Sequence, residues 1–582
     1  MKKTKYVIVL LSSILFWLML SEASAKHLFI NCFVGGISAL FLMVIMKKYT
    51  WRISKIIGLC SFVISGLFFF LLYNHFFSAW ESSSKLKEIG NHIGLSDNGL
   101  LIIAGIVLAL VSCVSVFVFA SLVISLVFSL FDFSSLSRKF KALFSVKNIL
   151  KKLSIAILCL VSSGVLGTLL MFGVYNLPIE RIDNNVSKSA YELNEEDVYY
   201  SLFSWCTSQL DNFTDSIMLL EASDKSPDTT INRAMLNYRG KIADPEYKDP
   251  FDTLIKHYVD KKDYTSTKKY PRYWHGYHVV LKPLLLLFSY KTIRIINLCV
   301  QISLVVFSCV LMKIKGLKHI IIPYIISYLM LMPVALAFSL QFSACFLIFS
   351  IGNIVILLLS NVLERYLFYI FLFLGIATSF LDLLTYPIVT FGMPIILTLS
   401  VLYKIDLESK LVIVIKSALL WVLGYLGMWA SKWLIGSVLT GENVIWDGLS
   451  AVERRTDSQV GSEHAIISRE SSVTTNLDAF FNTPVTVVFI IFCVISIISI
   501  IWLLVKFRRT IIYVDVMRNV FLYFLISVTP LVWYSVVVNH SCVHFWFTNK
   551  NLVIMVFGIL VLLTELKKVC VFQADNKKII IE

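Results

Sequence analysis

The chain has 582 residues, 58% of them hydrophobic and 15% charged, against roughly 45–50% and about 25% in an ordinary globular chain. That composition excludes collagen, disorder and a secreted disulfide scaffold, and points to a polytopic membrane protein. The net charge of +15 reads as topology rather than nucleic-acid binding. Lys and Arg gather in short loops between apolar runs, where positive charge marks the cytoplasmic side.

A span needs about 20 mostly apolar residues. Such runs lie near 5–21, 28–46, 55–76, 99–131, 152–175, 291–312, 319–339, 342–361, 366–381, 384–403, 411–436, 484–505, 519–538 and 549–565. They predict an all-α polytopic integral membrane protein of about 14 transmembrane helices. Every second gap is basic: Lys47, Lys48, Arg52 and Lys55; Arg138, Lys139 and Lys141; Lys313, Lys315 and Lys318; Lys506, Arg508 and Arg509; Lys567 and Lys568. Both termini are therefore expected in the cytoplasm, in the plasma membrane. The start, with Lys2, Lys3 and Lys5, an apolar run and Ala23-Ser24-Ala25, resembles a signal peptide but is read as a retained first span.

The expected organisation is a four-helix membrane module over 1–150. A second membrane module, 151–435, carries a mixed and partly helical extracytoplasmic loop of about 110 residues at 176–290. A second extracytoplasmic loop follows at 436–483, then membrane helices and a cytoplasmic tail over 484–582. Most of the eleven cysteines lie in apolar runs, among them Cys60, Cys113, Cys159 and Cys345. They form no metal-binding spacing. Cys206 and Cys542 fall on the expected outer side, where a bridge between them is conceivable but not expected.

In the first loop, Asp211 and Asp215 are four apart, and on a helix they share one face. Paired carboxylates beside an apolar surface suit proton abstraction or metal binding. The alternative is that one of them caps a helix. The loop ends in Arg272, Tyr273, Trp274, His275 and Lys282, followed by an apolar run too short to span. This reads as a segment at headgroup level. There cations could hold a lipid phosphate and aromatic rings could stack on a sugar.

Asp382 is a lone carboxylate between two spans, where charge is costly and tends to be functional, or else caps the next span. Lys432, between two tryptophans, either snorkels or neutralises a phosphate. The Glu453-Arg454-Arg455 run reads as a solvated helix face. His540 and His544 have the i,i+4 spacing of helical metal ligands, but no Glu completes a metalloprotease motif. With Lys550 they are read as phosphate or sugar ligands, and no residue is assigned to a metal. Nucleotide-binding and kinase motifs are absent from the sequence.

Many spans, acidic residues in a large external loop and cations at outer helix ends together resemble the GT-C superfamily of integral membrane glycosyltransferases, over about residues 152–565. One departure is that four spans precede the acidic loop here, whereas that superfamily usually places the loop after the first span. The resemblance implies transfer of a sugar from a polyprenyl-phosphate carrier to a cell-envelope glycan acceptor at the outer face. Asp211 or Asp215 would be the base, and Lys432, His544 and Lys550 would hold lipid phosphate. The donor is already activated, so a divalent cation is optional and no other cofactor is implied. The expected partners are the bilayer, the lipid-linked sugar and the acceptor, with no nucleic acid. A flippase for lipid-linked glycan, a glycan polymerase or ligase, and a non-catalytic assembly partner are the competing readings. Lys- and Ile-rich, Arg-poor usage fits a low-GC bacterial envelope.

Overall fold

The computed structural model describes residues 133–143, 146–243, 249–457, 467–506 and 521–581. The four expected spans before residue 132 lie outside the described residues. From Arg138 onward the chain packs as one compact unit, and the description concerns that unit.

Apolar runs become helices because in lipid every backbone polar group must find its partner within the segment. In chain order the long ones are α1 (Val146–Tyr175), then, after the first loop, α7 (Tyr290–Ile314), α8 (Lys318–Met330), α9 (Pro333–Phe338), α10 (Leu340–Leu358), α11 (Leu363–Leu381), α12 (Val389–Val401) and α13 (Leu407–Thr440). After α14 (Val444–Thr456) and α15 (Arg469–Phe481) come α16 (Pro484–Lys506), α17 (Thr529–Val536), α18 (Val538–Val543), α19 (Phe545–Thr548) and α20 (Val553–Ile581). The described residues are mostly helical. Seven helices among them are long and apolar enough to cross a membrane: Leu150–Tyr175, Tyr290–Ile314, Leu340–Leu358, Leu363–Leu381, Leu407–Thr440, Pro484–Lys506 and Phe545–Lys568. The expected spans near 319–339, 384–403 and 519–538 are shorter apolar helices, Lys318–Met330, Val389–Val401 and Phe521–Val536.

The closest helix crossing is α11 on α13. A Cβ on Gly375 would collide with the Trp421 carbonyl, and one on Gly424 with the Leu372 carbonyl. Only glycine lets these backbones approach so closely. α13 has 34 residues, about 50 Å at 1.5 Å per residue. It therefore outruns a hydrocarbon core of about 30 Å. Trp421, Tyr425, Trp429 and Trp433, each four residues on, stack at 5.0, 5.2 and 5.9 Å along it.

The described residues of 176–289 form a folded layer packed against these helices. It contains α2 (Ile179–Leu193), α3 (Asn212–Ala222), α4 (Thr230–Leu236), α5 (Phe251–Tyr258), α6 (His278–Leu285) and a hairpin of Arg239–Lys241 with Ser266–Lys268. Hydrogen bonds in both directions fasten the layer to the spans, one of them to a helix end whose last carbonyls lack partners. Lys432 Nζ donates to Met235 O (2.7 Å) at the end of α4. Trp274 Nε1 donates to Met428 O (2.7 Å), and Trp433 Nε1 to Arg272 O (2.9 Å). The segment expected at headgroup level is thus packed inside: Tyr273, Trp274, His275 and Lys282 are all buried. Cys206 and Cys542 carry free thiols.

Candidate functional site

The sequence Asp211-Asn212-Phe213-Thr214 starts α3 through an N-cap. Asp211 Oδ1 accepts from Thr214 N (3.0 Å) and satisfies an otherwise orphaned amide. Its other oxygen accepts from Thr214 Oγ1 (3.2 Å), from Gln341 Nε2 and, most weakly, from Trp546 Nε1 (3.4 Å). Burial raises its proton affinity above the ordinary carboxylate value, against the pull of these donors. Around it stand half-exposed aromatic rings. Tyr199 is 37% exposed, lies 5.4 Å from Trp546 and stacks on Phe213 at 6.3 Å.

Asp215, one turn on, is closed in. It accepts from Leu340 N (2.9 Å), Gln341 N (3.2 Å) and the Tyr290 hydroxyl. These amides open α10, so Asp215 caps that helix from across the fold, where a negative charge is favoured. Burial raises its pKa to about 7, although Tyr290, Arg294 and the amides pull the other way. The two aspartates do share a neighbour, the start of α10, but only Asp211 touches a half-exposed ring.

Asp382 ends α11 and does not cap α12, which starts at Val389. Its carboxylate takes Thr385 N (3.0 Å) and the Thr385 hydroxyl, shaping the turn between α11 and α12. Burial raises it to about 6. That turn presents the Leu384 carbonyl to His540 Nε2 (2.7 Å), while His540 Nδ1 accepts from Arg455. A ring nitrogen facing a carbonyl must donate, so the other is a lone pair. His540 is therefore neutral, in line with burial and then Arg455 pushing its pKa down. Both its nitrogens are taken, and the His540–His544 pair is not a metal site. Arg455 lies 5.8 Å from the Tyr273 ring. His544 sits 4.7 Å from His540 and 5.2 Å from Trp546, ring to ring.

One cluster therefore joins Asp211, Tyr199, Trp546, His544, His540 and Arg455. Four expected phosphate ligands are engaged elsewhere. Lys282 Nζ donates to Ala222 O (2.7 Å) at the end of α3 and lies 4.3 Å from the Tyr175 ring; burial lowers its pKa to about 7. Lys432 is fully buried on Met235 O, and Lys550 on Thr207 O (3.2 Å). Arg272 is ion-paired with Asp447 (3.3 Å) and stacked over Tyr270 at 4.4 Å. Arg455 carried no signal beyond a charge run. Glu453 and Arg454 beside it are exposed as expected, and it alone turns inward.

A groove of about 200 Å³ runs between α6, α7 and α10. Its lining is apolar apart from Tyr277, Asn297 and Ser343. Through Ile296 and Val300 it meets a second apolar depression on α7, beside Cys299 and Phe307. Leu340 and Leu381 are among its lining residues. No protein-family model, curated protein or solved structure matches the chain.

Proposed function

We propose that the protein is a membrane glycosyltransferase that takes a sugar from a polyprenyl-phosphate carrier and passes it to a glycan hydroxyl at the outer face. One observation carries this reading: two residues lining the apolar groove adjoin in sequence the residues that hold the polar cluster. Leu340 lines the groove, and its neighbour Gln341 grips Asp211. Leu381 lines it too, and Leu384 three residues on holds His540, which holds Arg455. A prenyl chain lying in the groove would bring its phosphate to this junction.

Asp211 is the base. An acceptor hydroxyl replaces the weak Trp546 bond, gives its proton to Asp211 and attacks the anomeric carbon. The bond from that carbon to the phosphate oxygen breaks, and the carrier leaves as polyprenyl phosphate. Arg455, held by His540, meets the charge that develops on the leaving oxygen. Tyr199 and Trp546 offer rings on which a sugar can stack. The test is incubation of the purified full chain with a panel of polyprenyl-phosphate sugars and glycan acceptors, read by mass spectrometry. The expected product is a glycan heavier by one sugar, with free polyprenyl phosphate. Release of sugar from no carrier, or polymerisation of intact lipid-linked glycans instead, would overturn the reading.

A further inference from the structure

At the other end of α3, Glu221 meets His275 and His278. All three are buried, at 0%, 1% and 0% exposure. One ligand atom from each lies within 4.8 Å of the others. His275 Nδ1 is 2.8 Å from Glu221 Oε2, and His278 Nε2 is 3.2 Å from the same oxygen. Tyr277 donates its hydroxyl to that oxygen as well, at 2.8 Å. Glu221 Oε1, in the same sealed pocket, has no hydrogen-bond partner.

The cluster has more atoms facing one point than protons to share among them. His275 Nε2 lies 2.9 Å from the Tyr270 carbonyl and so must donate. His275 Nδ1 faces both Glu221 Oε2 and the Tyr277 hydroxyl, each at 2.8 Å. Tyr277 has one hydroxyl proton for that nitrogen and that oxygen. A cation between the two rings and the carboxylate would serve all of these atoms at once. It would also give Oε1 a partner.

We infer that Glu221, His275 and His278 form a binding site for a divalent transition metal, best suited to zinc. Two imidazole nitrogens and one carboxylate oxygen are a zinc donor set, and zinc bonds of 2.0–2.2 Å put neighbouring ligand atoms about 3.3 Å apart. The 2.8 and 3.2 Å separations need only small adjustments. The Tyr270 carbonyl on His275 Nε2 is the outer partner that fixes a metal-binding tautomer. His275 holds a left-handed backbone, φ +53°, which bends the chain so that rings three residues apart converge; such conformations persist where a site over-determines them. The ion would clamp α3 to the segment that carries Tyr277, a wall of the groove. It is a structural site, separate from Asp211, and does not rest on the proposed reaction.

The test uses the full chain, purified with a histidine-free tag and without chelator, then equilibrated with zinc and desalted. Elemental analysis should find about one zinc per chain, dropping to background in Glu221→Gln and His278→Gln. Should a variant fail to fold, wild type stripped with 1,10-phenanthroline gives the answer: its Tm should fall by several degrees and recover with zinc. A cobalt-substituted protein should show the strong visible bands of a tetrahedral ion. Less than roughly a tenth of a zinc per chain in wild type, with a Tm that ignores chelator and metal, would overturn the site. Full zinc retained in both folded variants would overturn it equally.

Discussion

The two ends of α3 hold acids of the same kind in opposite settings. At the start, burial wins over the hydrogen-bond donors, and Asp211 and Asp215 are held above the ordinary carboxylate range. At the end, burial loses to two facing histidines, and Glu221 is brought down to about 2. An acid pushed up, beside half-exposed rings, is fit to take a proton. An acid pushed down inside a sealed pocket is fit to hold a cation. On the proposed reading, the eleven residues of one helix separate a reactive end from a clamped one.

That contrast can be broken from either side. Arg455→Gln keeps the fold and should lower the transfer rate about 100-fold, as expected for losing one charge that faces the leaving group. A rate within threefold of wild type, measured on equal amounts of folded protein, would remove Arg455 from the site. Asp215→Ala strands two amides at the start of α10 and should cost about 3 kcal/mol, seen as a lower denaturation midpoint. Asp215→Asn keeps one acceptor oxygen but turns an NH2 toward the other amide, and should cost about 1–2 kcal/mol, less than the alanine variant.

The pH dependence separates the ends further. Asp215 titrates near 3.8 unfolded and about 7 folded, so the folded state holds the extra proton. Stability should fall as pH rises from about 4 to about 7, and Asp215→Asn should flatten that slope. Lys282 is the reverse, moving from 10.5 unfolded to about 7 folded. The unfolded state holds the extra proton, and stability should rise from about pH 7 to 10. Lys282→Met should remove that rise without changing the transfer rate at pH 7. Thermal melts across both windows check the two signs. The smallest effect is expected for Trp546→Phe, which keeps a ring but loses the 3.4 Å bond to Asp211. The acceptor KM should change by about threefold, with kcat nearly unmoved.

The long apolar helices were legible because lipid imposes a composition on whole segments; seven of the described ones are long enough to cross a membrane. The run read at 484–505 is a helix at Pro484–Lys506, and the run at 152–175 ends in one at Tyr175. A cap was legible only as the alternative reading, with Asp211 and Asp215 not told apart; the structure gives that role to Asp211. What each cation does was not. Lys432 adjoins Trp433 and Lys282 follows an aromatic-rich stretch, a pattern that fits a phosphate as well as a helix end. Their carbonyl partners, Ala222 and Met235, are 60 and 197 residues away. The Glu221–His278 contact joins residues 57 apart, and no spacing rule reaches across a folded loop. Arg455 hid in a charge run because only the packed helix decides which member turns inward.

The most direct measurement is the transfer rate of Asp211→Asn against wild type, with the melting temperature of both. Asn is as good an N-cap as Asp, so the fold should survive with little change in Tm, while a base is lost. The predicted result is a stable protein whose kcat has fallen by about 10²–10⁴-fold. A stable Asp211→Asn protein that transfers sugar at the wild-type rate would contradict the assignment of this end of α3 as the reactive one.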